Sequence, residues 1–313
     1  MMETPNISGI AKSIKDLSTI GFDCGYYNNP IGNFSLLPYG DLYLASFRVF
    51  GYYITTETQE YQYTPNMVLE HPDEHIFCLL DRDFNFVKRL QIAENTYFKP
   101  HEFRDNRTYL EDGRLCDWNG EAYLTSATFY TNNSHWEKMG LEVQRLTVEG
   151  NEIRARHFWN SGEHGIMGRH KNWMPVPDKP HRFISATYQS GAQMIDISTD
   201  TITEGGICEG EMYRGNTPLL KSDWGYMTIT HKLTADERNR KRYINYIVEY
   251  NADLSVRRIS KPFKFCESNI EFATALLPLP NGDIAAGVTE MDDTPLLMVF
   301  DKQEFLHEVI IGR

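Results

Sequence analysis

Three polar segments hold most of the residues that could do chemistry. The densest, 101–129, contains Glu111-Asp112-Gly113-Arg114 just before a strand-like run. An acid beside a fixed cation can be held in place and tuned, which makes Asp112 a candidate acid and Arg114 its candidate positioner. An acidic turn before a strand is also a common structural device. The second segment, 169–177, sets Lys171, Asn172 and Trp173 side by side, giving a cation, an amide and a stacking face. It reads equally as a proline-stabilised loop with its Trp in the core. The third, 213–233, carries Arg214, Lys221 and His231, which could hold an anion such as phosphate. Lys221 beside Asp223 could instead be an exposed turn residue.

Other chemistries find little support. His71-Pro72-Asp73-Glu74-His75 has the spacing of a zinc-protease helix, but Pro72 breaks the helix and the Glu is misplaced. There is no GxSxG, P-loop or GxGxxG. That argues against a Rossmann dehydrogenase, a P-loop enzyme and any transferase built on a doubly wound sheet. The five cysteines, Cys24, Cys78, Cys116, Cys208 and Cys266, are scattered and form no CxxC. They read as reduced thiols, not as a disulfide frame or a zinc site. No metal and no cofactor are expected.

The elements that must position these residues form a repeat. A turn followed by a short alternating strand with small residues near its end recurs at 40–48, 119–129, 179–188, 222–233 and 281–290. Each copy is followed by strand, polar turn and strand, as in 76–90, 141–158, 192–203, 243–260 and 297–310. Turn centres such as Glu149-Gly150-Asn151 are hairpin chemistry. About five strand-plus-hairpin units at this spacing predict an all-β chain folded as a five-bladed β-propeller, with a two-sheet sandwich as the competing architecture. Residues 1–20 are expected as an N-terminal extension with a short helix over 10–17, and 21–313 as the single propeller domain. In a propeller the repeat strands would line the channel and end at Arg48, Thr128, Tyr188, His231 with Lys232, and Glu290, converging on one ligand site.

Composition narrows the partners. The 313 residues carry a net charge of −12, which disfavours nucleic acid, since neutralising phosphates needs clustered Lys and Arg. No apolar run is long enough to span a bilayer, and the polar N-terminus has no signal-peptide core, so a cytoplasmic protein is expected. Aromatics make up 13%, with 18 Tyr and 17 Phe. They suit a strand-rich fold, and they also suit sugar binding, because sugar C–H faces pack against rings.

Taken together, the motifs resemble the five-bladed propeller enzymes of glycoside hydrolase family 130, mainly β-mannoside phosphorylases. They also resemble the mannosyltransferases and phosphorylases of glycosyltransferase family 108. Glu111-Asp112-Gly113-Arg114 is similar to the family's Glu-Asp-Pro-Arg. His170-Lys171-Asn172-Trp173-Met174-Pro175 resembles its Lys-Asn/Asp loop. Gly215-Asn216-Thr217-Pro218-Leu219-Leu220-Lys221, with Trp224-Gly225-Tyr226 and His231, resembles its Gly-x-x-Pro-Pro-Ile-Lys loop and following strand. Asn29-Pro30 with Arg48 resembles its first blade, and Ile270-Glu271-Phe272-Ala273 with Gly287-Val288 its last.

The matches run in order over most of the chain. The resemblance implies that Asp112 is the general acid, relayed through a sugar hydroxyl, while phosphate attacks the anomeric carbon with inversion. Arg114, Lys221, His231 and Arg145 would then serve phosphate or a donor. Asn29, Arg48, Lys171, Asn172, Trp173, Arg214, Glu271 and Asp292 would line the substrate. The partners implied are a carbohydrate and either phosphate, a sugar phosphate or a nucleotide sugar, and homo-oligomers are compatible with the resemblance. An anionic nucleophile leaves one protein carboxylic acid sufficient. A hydrolase would need a second carboxylate roughly 6.5–9.5 Å away, for which Glu271 and Asp292 are the candidates. Gly113 departs from the family's Pro, and Arg145 is the one counterpart found for its further phosphate-binding arginines. Hydrolysis on the same scaffold and a non-catalytic glycan- or protein-binding propeller are the alternatives to glycosyl transfer.

Overall fold

Tight turns between alternating strands dictate most of this chain. Asn119 and Gly120 join Thr108–Trp118 to Glu121–Asn132 with φ of 58° and 82°, the doubly left-handed turn that matches strand twist. The Asp117 carboxylate accepts the Gly120 N–H at 2.9 Å and fixes that turn. The computed structural model describes residues 4–24, 29–50, 52–55, 58–63, 74–93, 108–132, 135–161, 164, 172–207 and 209–311. They are nearly all β, with only short helical pieces at Ser8–Ile10 and Thr19–Asp23 and a C-terminal pair, Lys302–Leu306 continued by His307–Ile311. Among them no helix is long and apolar enough to cross a membrane.

The strands form antiparallel meanders. Ile31–Tyr39, Leu42–Val49, Glu74–Leu80 and Phe86–Ile92 pair in order, as do Thr108–Trp118, Glu121–Asn132, His135–Glu149 and Glu152–Asn160. A two-residue parallel pairing, Gln91–Ile92 with Glu152–Ile153, links these two quartets edge to edge. A second large sheet holds Met174–Pro175, Arg182–Tyr188, Gly191–Asp196 and Thr201–Gly206, then Met212–Gly215, Leu220–Ser222, Gly225–Ala235, Lys241–Asn251 and Val256–Ile259. The last sheet is Glu271–Pro278, Ile284–Glu290 and Thr294–Phe300, completed by Ser13–Asp16.

Two expectations are corrected here. The stretch 10–17 is not a helix: Ser13–Asp16 is a strand whose residues pair with Leu296–Val299. A helix this short is marginal, whereas the open edge of Thr294–Phe300 offers a full ladder of backbone partners. The repeat strands are also not the first of their groups. Each is preceded by another strand, among them Ile31–Tyr39, Thr108–Trp118 and Glu271–Pro278, and these preceding strands pack against one another. The innermost layer is therefore one strand earlier than the repeat suggested.

The cores lie between neighbouring groups. Leu44, Phe77, Leu115, Leu124 and Leu146 fill the space between the first two quartets. Strands sandwiched this way are buried on both faces, which is why they read as near-continuous apolar runs with small residues. Cys24, Cys78, Cys116 and Cys266 are free and buried, and Cys208 lies outside the described residues.

Candidate functional site

Two bulges build the centre of the site. Glu111 pairs with Ala127 and Arg114 with Thr125, so Asp112 and Gly113 together face one partner residue, Ser126. Gly32 pairs with Arg48 and Ser35 with Ser46, leaving Asn33 and Phe34 against Phe47 in the same way. Such bulges re-aim a side chain out of the ladder. Both bulge residues take left-handed backbone, with φ of 51° at Asp112 and 41° at Asn33, a region short polar side chains tolerate. The bulges meet: Asn33 Nδ2 donates to Asp112 Oδ1 at 2.7 Å. Arg48 Nη1 donates to the same oxygen at 3.0 Å, while its Nη2 lies 3.0 Å from Glu111 Oε1. The Arg48 guanidinium sits over the Phe50 ring at 4.8 Å. Asp112, Arg48 and Asn33 are all buried, so this carboxylate is oriented by groups that are themselves locked.

Arg114 ties the bulge to two other loops. Its Nη1 donates to the Asp112 carbonyl at 2.7 Å and its Nη2 to Asn172 Oδ1 at 3.3 Å. Its Nε donates to the Asn216 carbonyl. Burial pushes its pKa down to about 10, against the opposing pull of Asp112. From Asn216 an amide chain continues: Asn216 Oδ1 meets His231 Nδ1, and Asn216 Nδ2 donates to Asn245 Oδ1 at 3.3 Å. Asn245 Nδ2 reaches Glu271 Oε2 at 3.4 Å. His231 stacks on Tyr243 at 4.7 Å and takes the edge of Phe272 at 5.5 Å.

Glu271 anchors the far end. Its Oε2 accepts the N–H groups of Phe265 and Cys266, and Lys264 Nζ lies 3.6 Å from Oε1. Burial raises its pKa to about 8, with Lys264 and the two N–H groups pulling the other way. A carboxyl group whose folded pKa exceeds its unfolded value of 4.5 adds stability at low pH that is lost as pH rises through the folded pKa. Glu271→Gln is therefore expected to melt close to wild type near pH 4.5 and above it near pH 8. Each unit of displacement is worth about 1.4 kcal/mol, so the difference is bounded at roughly 5 kcal/mol. Parallel melting curves for the two proteins from pH 4 to 9 measure it, and a constant gap across that range would refute the assignment.

The structure does not gather the expected anion group. Lys221 is 67% exposed and pairs with Asp178 at 2.6 Å. Arg145 is 46% exposed and pairs with Glu121. Both lie at the hairpin-turn ends of their sheets: Lys221 is opposite Tyr226 and Arg145 opposite Tyr123. His231 is five residues beyond Tyr226, roughly 17 Å along the strand. Arg214 is exposed, although its backbone pairs with His231.

Trp173 is buried edge-on to Phe183 at 6.4 Å, so the core reading of its ring holds. Asn172 is buried at Arg114, and Lys171 lies outside the described residues. Asn29 is half-buried and donates to the Phe50 carbonyl at 3.2 Å. Asp292, half-buried, accepts from Tyr52 Oη at 3.1 Å. Asn33, His75, Asn216 and Asn245 belong to the constellation and were not anticipated. Asn33 could have been found by aligning the strands that precede the repeat, since it holds the bulge position that Asp112 holds in the next group.

Gly113 has a packing reason. A Cβ there would lie 2.7 Å from His75 Cε1 and 2.9 Å from Leu124 Cδ1. The His75 ring, with Nδ1 3.2 Å from Ser46 Oγ, occupies the space a proline would need. Gly113→Ala is expected to destabilise the protein by about 1–3 kcal/mol through overpacking. Adding His75→Ala should recover part of that loss. Urea midpoints for the two variants and their combination give the coupling, and strict additivity would exclude the clash.

No protein-family model matches the sequence, and no curated protein matches it. Solved structures do match in fold. A mannose phosphorylase from Leishmania mexicana, in complex with phosphate ion, superposes with a TM-score of 0.55 at 13% identity, over 92% of this chain and 89% of the other. A GDP-mannose-dependent mannosyltransferase from the same organism gives 0.52 at 12% identity, over 88% and 87%. A Bacteroides ovatus protein designated a glycoside hydrolase by inference gives 0.55 at 9% identity, over 88% and 87%. At these identities the likeness establishes a shared fold.

Proposed function

We propose that this protein is a glycan-acting enzyme that transfers a mannosyl-type unit with inversion. In this reading it is either a β-mannoside phosphorylase or a mannosyltransferase using a sugar phosphate or nucleotide sugar. The antiparallel groups are read as the blades of a five-bladed propeller spanning 21–313, with 13–16 closing the last blade. The observation that carries the reading is the buried Asp112 carboxylate, pinned by Asn33 and Arg48 on a bulge where the innermost strands meet. Asp112 donates a proton to the departing glycosidic oxygen, through a sugar hydroxyl as the resemblance implies, while an anionic nucleophile attacks the anomeric carbon. Arg114 positions the bulge, and His231 and Asn172 face the substrate side.

A second reading, hydrolysis, has one observation in its favour: Lys221 and Arg145 are turned to other partners and away from Asp112. One experiment separates them. Purified protein is given β-mannobiose with and without inorganic phosphate, and separately mannose 1-phosphate or GDP-mannose with sugar acceptors. Phosphate-dependent cleavage supports a phosphorylase, and GDP release a transferase. Free mannose without phosphate supports a hydrolase. Inactivity with every donor and acceptor would sink the mannosyl reading.

A further inference from the structure

The amide chain that starts at Glu271 has a direction, and the direction reaches a histidine. Glu271 Oε2 accepts the backbone N–H groups of Phe265 and Cys266. An oxygen that takes two N–H donors is not the one that carries a proton, so Oε2 is an acceptor whether the carboxyl group is ionised or neutral. Asn245 meets that oxygen at 3.4 Å and must therefore present Nδ2 to it, which leaves Oδ1 towards Asn216. Asn216 presents its own Nδ2 to Asn245 Oδ1 at 3.3 Å, which leaves Asn216 Oδ1 towards His231. Turning Asn245 over would set its oxygen against Oε2, so the direction of the whole chain is fixed at the glutamate.

The chain ends on one nitrogen. Asn216 Oδ1 is hydrogen-bonded to His231 Nδ1, and an oxygen acceptor at that position requires a hydrogen on Nδ1. The ring is also held in its plane. It stacks on Tyr243 with centroids 4.7 Å apart and 24° between planes, and it meets Phe272 edge to face at 5.5 Å. Glu271, Asn245, Asn216 and His231 are all at most 2% exposed, so bulk water does not compete for these bonds. A ring turned over inside this clamp would face Asn216 Oδ1 with a C–H and leave a buried acceptor unpaired. A histidine whose Nδ1 is tied to a fixed acceptor works from its other nitrogen, the logic by which an oriented imidazole serves as an acid or base elsewhere.

We infer that Glu271, Asn245 and Asn216 are positioning residues that keep a hydrogen on His231 Nδ1 in every ionisation state, so that the ring gains and loses its proton through Nε2 alone. A proton taken from an O–H group arrives at Nε2, and the resulting imidazolium keeps its Nδ1 hydrogen on Asn216 Oδ1. The glycan reading enters only in what supplies that O–H group. The hydrogen on Nδ1 follows from the chain itself.

The test is proton–nitrogen correlation spectroscopy on the full-length protein carrying isotope-labelled histidine, with pH raised from about 8 until the ring is neutral. The His231 signals are those lost in His231→Gln. Wild type is expected to show a hydrogen-bearing Nδ1 and a bare Nε2. A neutral His231 with its hydrogen on Nε2 would overturn the inference, and that result needs no variant to fold. Asn245→Leu keeps the shape and removes the amide, which frees Asn216 to turn over. The ratio of the Nδ1–H to the Nε2–H tautomer should then fall by about five- to tenfold, the worth of one hydrogen bond. Glu271→Gln keeps an oxygen for the two N–H groups and should keep the wild-type spectrum. An unchanged ratio in Asn245→Leu would overturn the relay. On whichever donor the protein uses, kcat of Asn245→Leu should fall by about the same factor with KM little changed. Unchanged kcat in a variant that has lost the tautomer would overturn the role in proton exchange. An inactive wild type with the expected spectrum would defeat the proposed reaction and leave the hydrogen on Nδ1 standing.

Discussion

Asp112→Asn is expected to cut glycosyl transfer by about 10²- to 10⁴-fold while leaving the fold intact. The carboxamide has the same shape, and its oxygen can still accept from Asn33 Nδ2 and Arg48 Nη1, the two donors that hold Oδ1. Arg48 keeps a carboxylate neighbour, because Glu111 Oε1 remains 3.0 Å from its Nη2. What disappears is the proton for the departing oxygen. The defect should therefore depend on the leaving group. A sugar alcohol needs protonation as the bond breaks, whereas a nitrophenolate leaves without it. With p-nitrophenyl β-mannoside the variant should retain within about tenfold of wild-type turnover. Equal losses on both substrates would mean that Asp112 positions the sugar and does not protonate it. Wild-type activity on both would remove it from the mechanism.

Much of the scaffold was legible from local pattern. Residues 40–48, 119–129, 179–188, 222–233 and 281–290 are strands because turn chemistry and alternation agree within each short window. The strands that precede them were not legible for a physical reason. Three of them carry register shifts, at Asn33–Phe34, at Asp112–Gly113 and at Thr274, and a bulge shifts the two-residue period in the middle of the strand. The strand Ser13–Asp16 was missed because its partner lies at the other end of the chain.

Residue types were read better than residue positions. Asp112, Arg114, Arg48, Asn172, His231 and Glu271 share one buried network, reached through Asn33, Asn216 and Asn245. Lys221 and Arg145 do not join it, and strand direction explains why. Each stands nearer a hairpin turn, while His231 lies five residues along the strand from the level of Lys221 and Asp112 about three residues from that of Arg145. Counting residues from the turn would have separated the two groups without any structure.

Arg114→Met should be the most damaging single change to stability in the site. The guanidinium donates to the carbonyls of Asp112 and Asn216 and to Asn172 Oδ1, three acceptors on three different segments. Methionine fills much of the volume and removes a charge whose burial is itself unfavourable, as the lowered pKa of about 10 records. That gain is outweighed, because the three acceptors are left buried without donors at about 1–3 kcal/mol each. A net loss of about 3–5 kcal/mol follows, or a melting point lower by roughly 10 °C. Lysine would keep the charge but lose the planar fork that reaches three acceptors, so Arg114→Lys should fall between the two. Activity should report the cause. Freed from Arg114, the Asp112 backbone can leave its φ of 51° and the carboxylate loses its aim. Turnover should then fall equally with good and poor leaving groups, unlike the Asp112→Asn pattern. A methionine variant that melts within about 2 °C of wild type would show that the guanidinium is not the clasp that holds the bulge.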